Sequence, residues 1–377
     1  MPASENVTIP LNSTIRGFTL DVHIDGKPVR LLLDTGAGLT ILSPETARAV
    51  GLNVIGKVGG GRSITGEKLE GQRAVTKRIN IGAAWTENEP VFVIEMPQGA
   101  NGVLGVATLA DWDVRIDPSK KELTLFPAGK AEPLEGEIAL PLACRLGNPE
   151  ASSSNQHGHR ILALSVPVHV GRHEVSATPD TGSSGTLLLP DVLIEELEPE
   201  VMKEALLWLH TGTSASGKII SRTVRLPEFT FGRDQLTDLP IKVFDATPGT
   251  EGAREGVVGL NLLRHYVITL RFSSGEFRLK PLGAVQEITR ASTAGMFMGP
   301  DQRGRIILLS VVPDGPAAEA GLRAGDEILK IEGRPLKTIT PEELTAFKQL
   351  PPGTHVTVSY RRGTANPVEA TLILVKQ

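Results

Sequence analysis

Cysteine is almost missing from this chain of 377 residues, where Cys144 stands alone. That excludes an intrachain disulfide and any metal site built from several thiolates, and without a supporting triad Cys144 reads as a spare thiol. Aromatic residues make up only 4% of the sequence, so cores must be packed from the plentiful Leu, Ile and Val, which suits small β-rich domains. A basic surplus is lacking too. The formal net charge is −4, and no Lys/Arg cluster of the kind that neutralises phosphates occurs, which argues against nucleic acid as a partner. The longest apolar runs, such as Ile306 to Val312, fall far short of the roughly 20 residues that span a bilayer, so no membrane span is expected. The N-terminus, Met-Pro-Ala-Ser-Glu-Asn, has neither the basic nor the apolar part of a secretion signal. The expectation is a cytoplasmic protein or one whose signal was removed.

What is present is a duplication. Asp-Thr-Gly occurs at Asp34 and again at Asp180, and the same offset aligns Val22-His23-Ile24 with Val168-His169-Val170 and runs without a gap to Pro44 and Pro190. A second block, Gly102-Val103-Leu104-Gly105, answers Gly256-Val257-Val258-Gly259 and continues to Pro127 and Pro281. The second offset is about eight residues larger, which a loop in the middle of the second copy can absorb. Each copy reads as short strands. Phe18, Leu20, Val22 and Ile24 alternate, Asp25-Gly26 makes a turn, and Val29 to Leu33 leads into the triplet, so a hairpin delivers the aspartate. In copy two, Leu162 to Val170, a turn at Gly171-Arg172 and the run from Val175 to Asp180 repeat that plan. Helices are expected over Pro44 to Val50 and over Asp191 to Leu207, the second interrupted by Pro199. Pro127 to Arg160 reads as a linker plus an exposed loop. Its His157 and His159 have metal-compatible spacing but no nearby Cys or clear carboxylate partner, so they read as surface histidines, and no metal or cofactor is expected.

One Asp-Thr-Gly triplet arises by chance in a chain of this length in about 10% of cases; two in duplicated frames carry far more weight. Two carboxylates held together cannot both ionise, so one proton is shared and the pair divides into a base and an acid. The base can activate a water while the acid hydrogen-bonds a scissile carbonyl, which is amide hydrolysis without a metal or an acyl-enzyme. The catalytic candidates are therefore Asp34 and Asp180. Gly36 and Gly182 permit tight loops, and the hydroxyls of Thr35 and Thr181 need acceptors, most simply in the opposing loop. Ala37 follows the first triplet and Ser183 the second. A hydroxyl at Ser183 can donate to Asp180, so Asp180 is expected to be the more acidic member and Asp34 the carrier of the shared proton.

These residues give the chain a resemblance to the retropepsin-type aspartic proteases, in particular bacterial relatives with the lobe fused in tandem. It covers about residues 15 to 283 and rests on Asp-Thr-Gly-Ala-Gly, Asp-Thr-Gly-Ser-Ser, Val103-Leu104-Gly105 and Val257-Val258-Gly259. The resemblance implies a mainly β chain with two acid-protease β-barrel lobes related by pseudo-twofold symmetry, so that dimerisation is not required. It implies mobile flaps, with candidates Gly61, Ser63, Ile64, Thr65 and Gly66 in lobe one and Thr213 and Ser214 in lobe two. Further on, the run from Arg305 to Leu329, with Pro316-Ala317-Ala318, Ala320-Gly321-Leu322 and Gly325-Asp326, resembles a bacterial PDZ domain. That implies a small α/β domain that takes a peptide ligand or C-terminus as an added strand. Its groove would be formed by Ala294, Gly295, Met296, Phe297 and Met298, flanked by a helix over Pro341 to Gln349. The expected organisation is lobe one over 1–135, lobe two over 136–285 and the PDZ-like domain over 286–377. The expected function is an aspartic endopeptidase acting on polypeptides, with the PDZ-like domain recruiting substrate or gating access. The alternative is a non-catalytic peptide-binding adaptor on the same fold.

Overall fold

The computed structural model describes residues 5–14, 17–96, 100–146, 161–203, 206–214, 217–246, 254–283, 285–290, 292–301, 303–347 and 350–376. His157 and His159 lie outside the described residues.

The alternation noted at Phe18 to Ile24 becomes strand Gly17–Ile24, whose Phe18, Leu20, Val22 and Ile24 are buried. It turns through Asp25 (φ 50°) and Gly26 (φ 82°) into Lys27–Leu33. Positive φ at both turn positions matches the right-handed twist of the strands and fixes the register. Leu104 and Val103 pair in parallel with Leu33 and Leu32. In lobe two, strand Ile161–Val170 turns into His173–Asp180, and Gly256–Gly259 pairs with it in parallel. Each aspartate thus leaves the end of a buried strand pair.

Helix Pro44–Val50 is bounded as its sequence dictates. The Ser43 side chain accepts from the Thr46 amide, Pro44 fills the first turn, and Gly51 takes φ 84° at the C-cap. The second helix is shorter than expected. It runs Asp191–Leu197 and resumes as Pro199–Lys203, and Leu206 already begins strand Leu206–Ser214. Pro199 has no N–H to continue the first segment, and the apolar residues after it pair across a hairpin with strand Gly217–Phe231 instead. The linker also differs, because Ile138–Pro141 and Ala143–Leu146 are strands, the first paired with Glu276–Pro281.

Repeat offsets locate the inserted residues. Strand Lys68–Val75 pairs with Pro90–Val93 just as the corresponding part of Gly217–Phe231 pairs with Asp234–Phe244, with Val75 opposite Pro90 and Arg225 opposite Pro240. Between Asp34/Asp180 and Val75/Arg225 the second copy gains four residues, and between Pro90/Pro240 and Gly102/Gly256 four more.

The lobes join through a six-stranded sheet with strands in the order Val7–Pro10, Glu122–Pro127, Trp112–Asp117, Tyr266–Arg271, Glu276–Pro281, Ile138–Pro141. At its centre Arg115 stands opposite its own repeat partner Thr269, so the pseudo-twofold axis passes between them. The sheet buries Trp112, Val114, Ile116, Tyr266, Ile268 and Leu270, and each such large side chain contributes about 1.5–3 kcal/mol by leaving water. On the other face the Arg115 Nε donates to Thr269 Oγ1 at 3.0 Å, and Asp113 Oδ2 accepts from Arg271 Nε at 3.2 Å and from the Ala131 amide at 3.1 Å. The linker is thereby strapped over the junction.

The C-terminal domain has a sheet in the order Met296–Pro300, Ile306–Val311, Glu327–Ile331, His355–Arg361, Val368–Ile373. Helix Pro316–Glu319 and the left-handed Gly321 and Gly325 (φ 83° and 91°) connect its second and third strands, as the motif implied. Among the described residues, no helix is long and apolar enough to cross a membrane.

Candidate active site

The two Asp-Thr-Gly loops meet across the pseudo-twofold axis. Thr35 Oγ1 donates to Pro179 O at 2.5 Å and accepts from the Thr181 amide at 3.0 Å; Thr181 Oγ1 donates to Leu33 O at 2.7 Å and accepts from the Thr35 amide at 3.1 Å. Both threonines are buried, so each of these four bonds satisfies a group that water cannot reach. The requirement that each hydroxyl find a partner in the opposing loop is met reciprocally.

This interlock sets Asp34 against Asp180. Their carboxyl groups lie close enough to act directly on each other and keep part of their surface exposed. Asp34 Oδ1 accepts from the Gly36 and Ala37 amides at 3.0 and 2.9 Å; Asp180 Oδ1 accepts from the Gly182 and Ser183 amides at 2.7 and 3.0 Å. A Cβ on Gly36 would lie 2.6 Å from Asp180 Oδ2, and one on Gly182 would lie 2.6 Å from Asp34 Oδ2. Only glycine lets each loop come this close to the other's carboxyl.

The pair is electrostatically uneven. Burial, the Asp180 charge and the hydrogen bond to Asp180 push the Asp34 carboxyl well above the usual carboxylate range, opposed by the Ala37 and Gly36 amides. Burial raises Asp180 as well, but the hydrogen bond from Asp34 and the amides of Gly182, Ser183 and Gly36 work against it. The Gly36 amide donates to Asp34 Oδ1 and also works on the Asp180 carboxyl across the axis. The Ser183 hydroxyl does not take the part expected of it. Ser183 acts on Asp180 through its backbone N–H, which Ala37 supplies equally to Asp34, while its Oγ accepts from the Gly185 amide at 3.5 Å.

Behind the loops, Leu104 O accepts from the Asp34 amide at 3.1 Å, and the Gly105 and Gly259 backbones press on residues 37–39 and 183–185. The lobe-one flap candidate is a hairpin of Ile55–Arg62, which contains Gly61, and Lys68–Val75. Its turn is closed by Ser63 N to Glu67 O at 2.9 Å and by a Ser63–Thr65 hydroxyl pair at 2.8 Å, with Gly66 at φ 85°. Ile64 at the tip packs against Phe244 and Ala246 of lobe two, as Leu188 does. The lobe-two candidate is the hairpin Leu206–Ser214 with Gly217–Phe231, in which Thr213 faces Lys218 and Ser214 faces Gly217; Ala215 and Ser216 lie outside the described residues.

In the PDZ-like domain, Met296–Pro300, which includes Phe297 and Met298, is an edge strand paired with Ile306–Val311, with a bulge at Phe297/Met298. Ala294, Met296 and Met298 pack on the domain core together with Leu344 and Phe347 of helix Pro341–Phe347. Gly295 takes φ 66° and donates its amide to Thr293 Oγ1 at 3.0 Å.

The chain has one His-x-x-x-His spacing, His169 to His173. It spans the turn of a β hairpin, with His169 opposite Glu174 and His173 opposite Val170, instead of one face of a helix as a zinc motif of that spacing requires. Among the described residues, no three His, Cys, Asp or Glu side chains gather into a metal-binding group. Cys144 is half-buried, and desolvation raises its thiol, which disfavours the reactive thiolate.

The aspartyl protease family model matches residues 20–108 and again 166–262, and a PDZ domain model matches 307–362. DNA damage-inducible protein 1 of Neurospora crassa is 28% identical over 178 residues, covering 45% of this chain and 39% of that protein, so the chain spans well under half the length of that curated relative. Among solved structures, edgp is 10% identical, with 76% of this chain and 97% of that chain covered at a TM-score of 0.42. The photosystem II D1 C-terminal processing protease is 26% identical, with 23% and 24% covered at a TM-score of 0.22. The two family matches coincide with the two halves that interlock at Thr35 and Thr181, and the chain belongs to the aspartyl protease family in its tandem, retropepsin-like form, with a PDZ domain at its C-terminal end.

Proposed function

We propose that this chain is an aspartic endopeptidase, built from lobes over 1–135 and 136–285 and a PDZ domain over 286–377, that hydrolyses peptide bonds in extended polypeptides. The observation that supports this reading most is the close, electrostatically uneven Asp34/Asp180 pair at the centre of the interlock. Asp180, whose carboxyl is raised less than that of Asp34, is the ionised member; Asp34 holds the proton. A water bound to both carboxyls attacks the scissile carbonyl carbon while Asp180 takes its proton and Asp34 gives its own to the carbonyl oxygen. The resulting diol collapses as Asp180 returns the proton to the leaving nitrogen and a hydroxyl proton restores Asp34. No covalent enzyme intermediate forms. The hairpin carrying Ile64 lies across the lobes and excludes water, which strengthens every polar contact beneath it.

The test is digestion of unfolded casein with and without a statine-type inhibitor, alongside Asp34→Asn and Asp180→Asn. Inhibitor-sensitive cleavage that both variants lose is expected. If none is seen from about pH 3 to about pH 8, the cleft is a peptide-recognition surface and the hydrolytic reading fails.

A further inference from the structure

The two candidate flaps are held by different things. The lobe-one hairpin crosses to lobe two through Ile64 at its tip. In lobe two, strand Leu206–Ser214 of the corresponding hairpin lies against strand Ile306–Val311 of the PDZ domain. That PDZ strand is the one to which the groove edge Met296–Pro300 is paired.

A polar clamp in the same region has no counterpart in lobe one. Arg225, in the second strand of the lobe-two hairpin, binds the Asp238 carboxylate through Nε and the Asp238 carbonyl through Nη2. Nη2 also donates at 2.9 Å to Thr289 O, in the connector Val285–Arg290 that leads into the PDZ domain. Lys376, at the far end of the PDZ domain, binds the other Asp238 oxygen, and its strand Val375–Lys376 pairs with Ser292–Thr293 at the beginning of that domain. The repeat partners of Arg225 and Asp238 are Val75 and Asn88. Asn88 and Asp238 share the same left-handed backbone, φ 54° and 55°, so the turn is common to both lobes while the charges belong to lobe two alone. Val285 and Ile288 of the connector are buried in the core of the lobes, so the domain is seated on lobe two at both of its ends.

We propose that Arg225 and Asp238 are positioning residues for the second flap, joining it to the PDZ domain so that a peptide chain end added to strand Met296–Pro300 changes substrate binding at the Asp34/Asp180 site. The first flap is governed by its own apolar tip; the second is governed by the PDZ domain. This rests on the protease reading only for its effect on turnover, since the mechanical coupling exists whether or not the dyad cleaves.

The experiment compares the full chain with Asp238→Asn, Asp238→Glu and Lys376→Ala by hydrogen–deuterium exchange, together with kcat and KM for a short peptide substrate. Asp238→Asn is expected to speed exchange about fivefold or more across both 206–231 and 285–300, and to raise KM with kcat nearly unchanged. Lys376→Ala is expected to do the same more weakly, and Asp238→Glu to restore protection. Faster exchange confined to 285–376, with 206–231 and KM unaltered, overturns the proposal. If the wild-type chain cleaves nothing yet the two segments still loosen together, the coupling stands and the hydrolytic reading is what fails.

Discussion

The interlock of the two loops makes a quantitative prediction through Thr181→Val. Valine is nearly isosteric with threonine, so the substitution removes a hydroxyl without opening a cavity. Two buried partners lose their bonds: the Leu33 carbonyl, bonded at 2.7 Å, and the Thr35 amide, bonded at 3.1 Å. Leaving a buried donor or acceptor unsatisfied costs about 1–3 kcal/mol each, so a loss of about 2–6 kcal/mol is expected. That is a large fraction of the roughly 5–15 kcal/mol that holds a domain together. Thr181→Ser keeps the hydroxyl and gives up one methyl, with an expected loss of about 1 kcal/mol. Urea unfolding followed through the fluorescence of Trp112, buried in the sheet that joins the lobes, reads the relevant transition. A Thr181→Val protein within about 0.5 kcal/mol of wild type would refute the reasoning, because the reciprocal bonds would then contribute nothing to the junction that seats the dyad.

Three further outcomes follow from the same geometry. Asp34 has its folded carboxyl raised well above its unfolded value by burial and by Asp180, so in the window between the two values the native state binds more protons than the unfolded chain, and stability falls as pH rises through it. Asp34→Asn removes that penalty while abolishing cleavage; its melting temperature is expected above wild type at neutral pH, with the difference vanishing below about pH 3, and a lower melting temperature at neutral pH would contradict the account. Ser183→Ala leaves the backbone amide on Asp180 in place, so the acidic limb of the pH–rate profile is expected to stay where it is; a clear upward shift would return the role to the hydroxyl. Ile64→Ser strips the apolar tip from its seat on Phe244 and Ala246, a loss of about 1–2 kcal/mol expected as roughly a tenfold rise in peptide KM, and an unchanged KM would show that the tip does not hold the flap down.

Much of this was legible in the chain because it is written twice. The 146-residue separation of Asp34 and Asp180 returns as the separation of Thr35 and Thr181 in the interlock, and the Asp25-Gly26 turn needs only local backbone chemistry to be read. What the sequence hid is non-local or specific to one copy. Leu206 and Leu207 read as the end of a helix until a hairpin partner captures their strand. The Asp113–Arg271 contact joins residues 158 apart, and the Arg225–Asp238–Lys376 clamp becomes visible only when lobe two is compared with Val75 and Asn88 of lobe one.

The central claim is that one polypeptide holds one dyad. Active-site titration with a statine-type inhibitor, on protein whose mass in solution is measured at the same concentration, tests it most directly. One inhibitor bound per monomer, with tight binding lost in both Asp34→Asn and Asp180→Asn, is the predicted result. Binding of one inhibitor per two chains, or binding that survives either substitution, would contradict it.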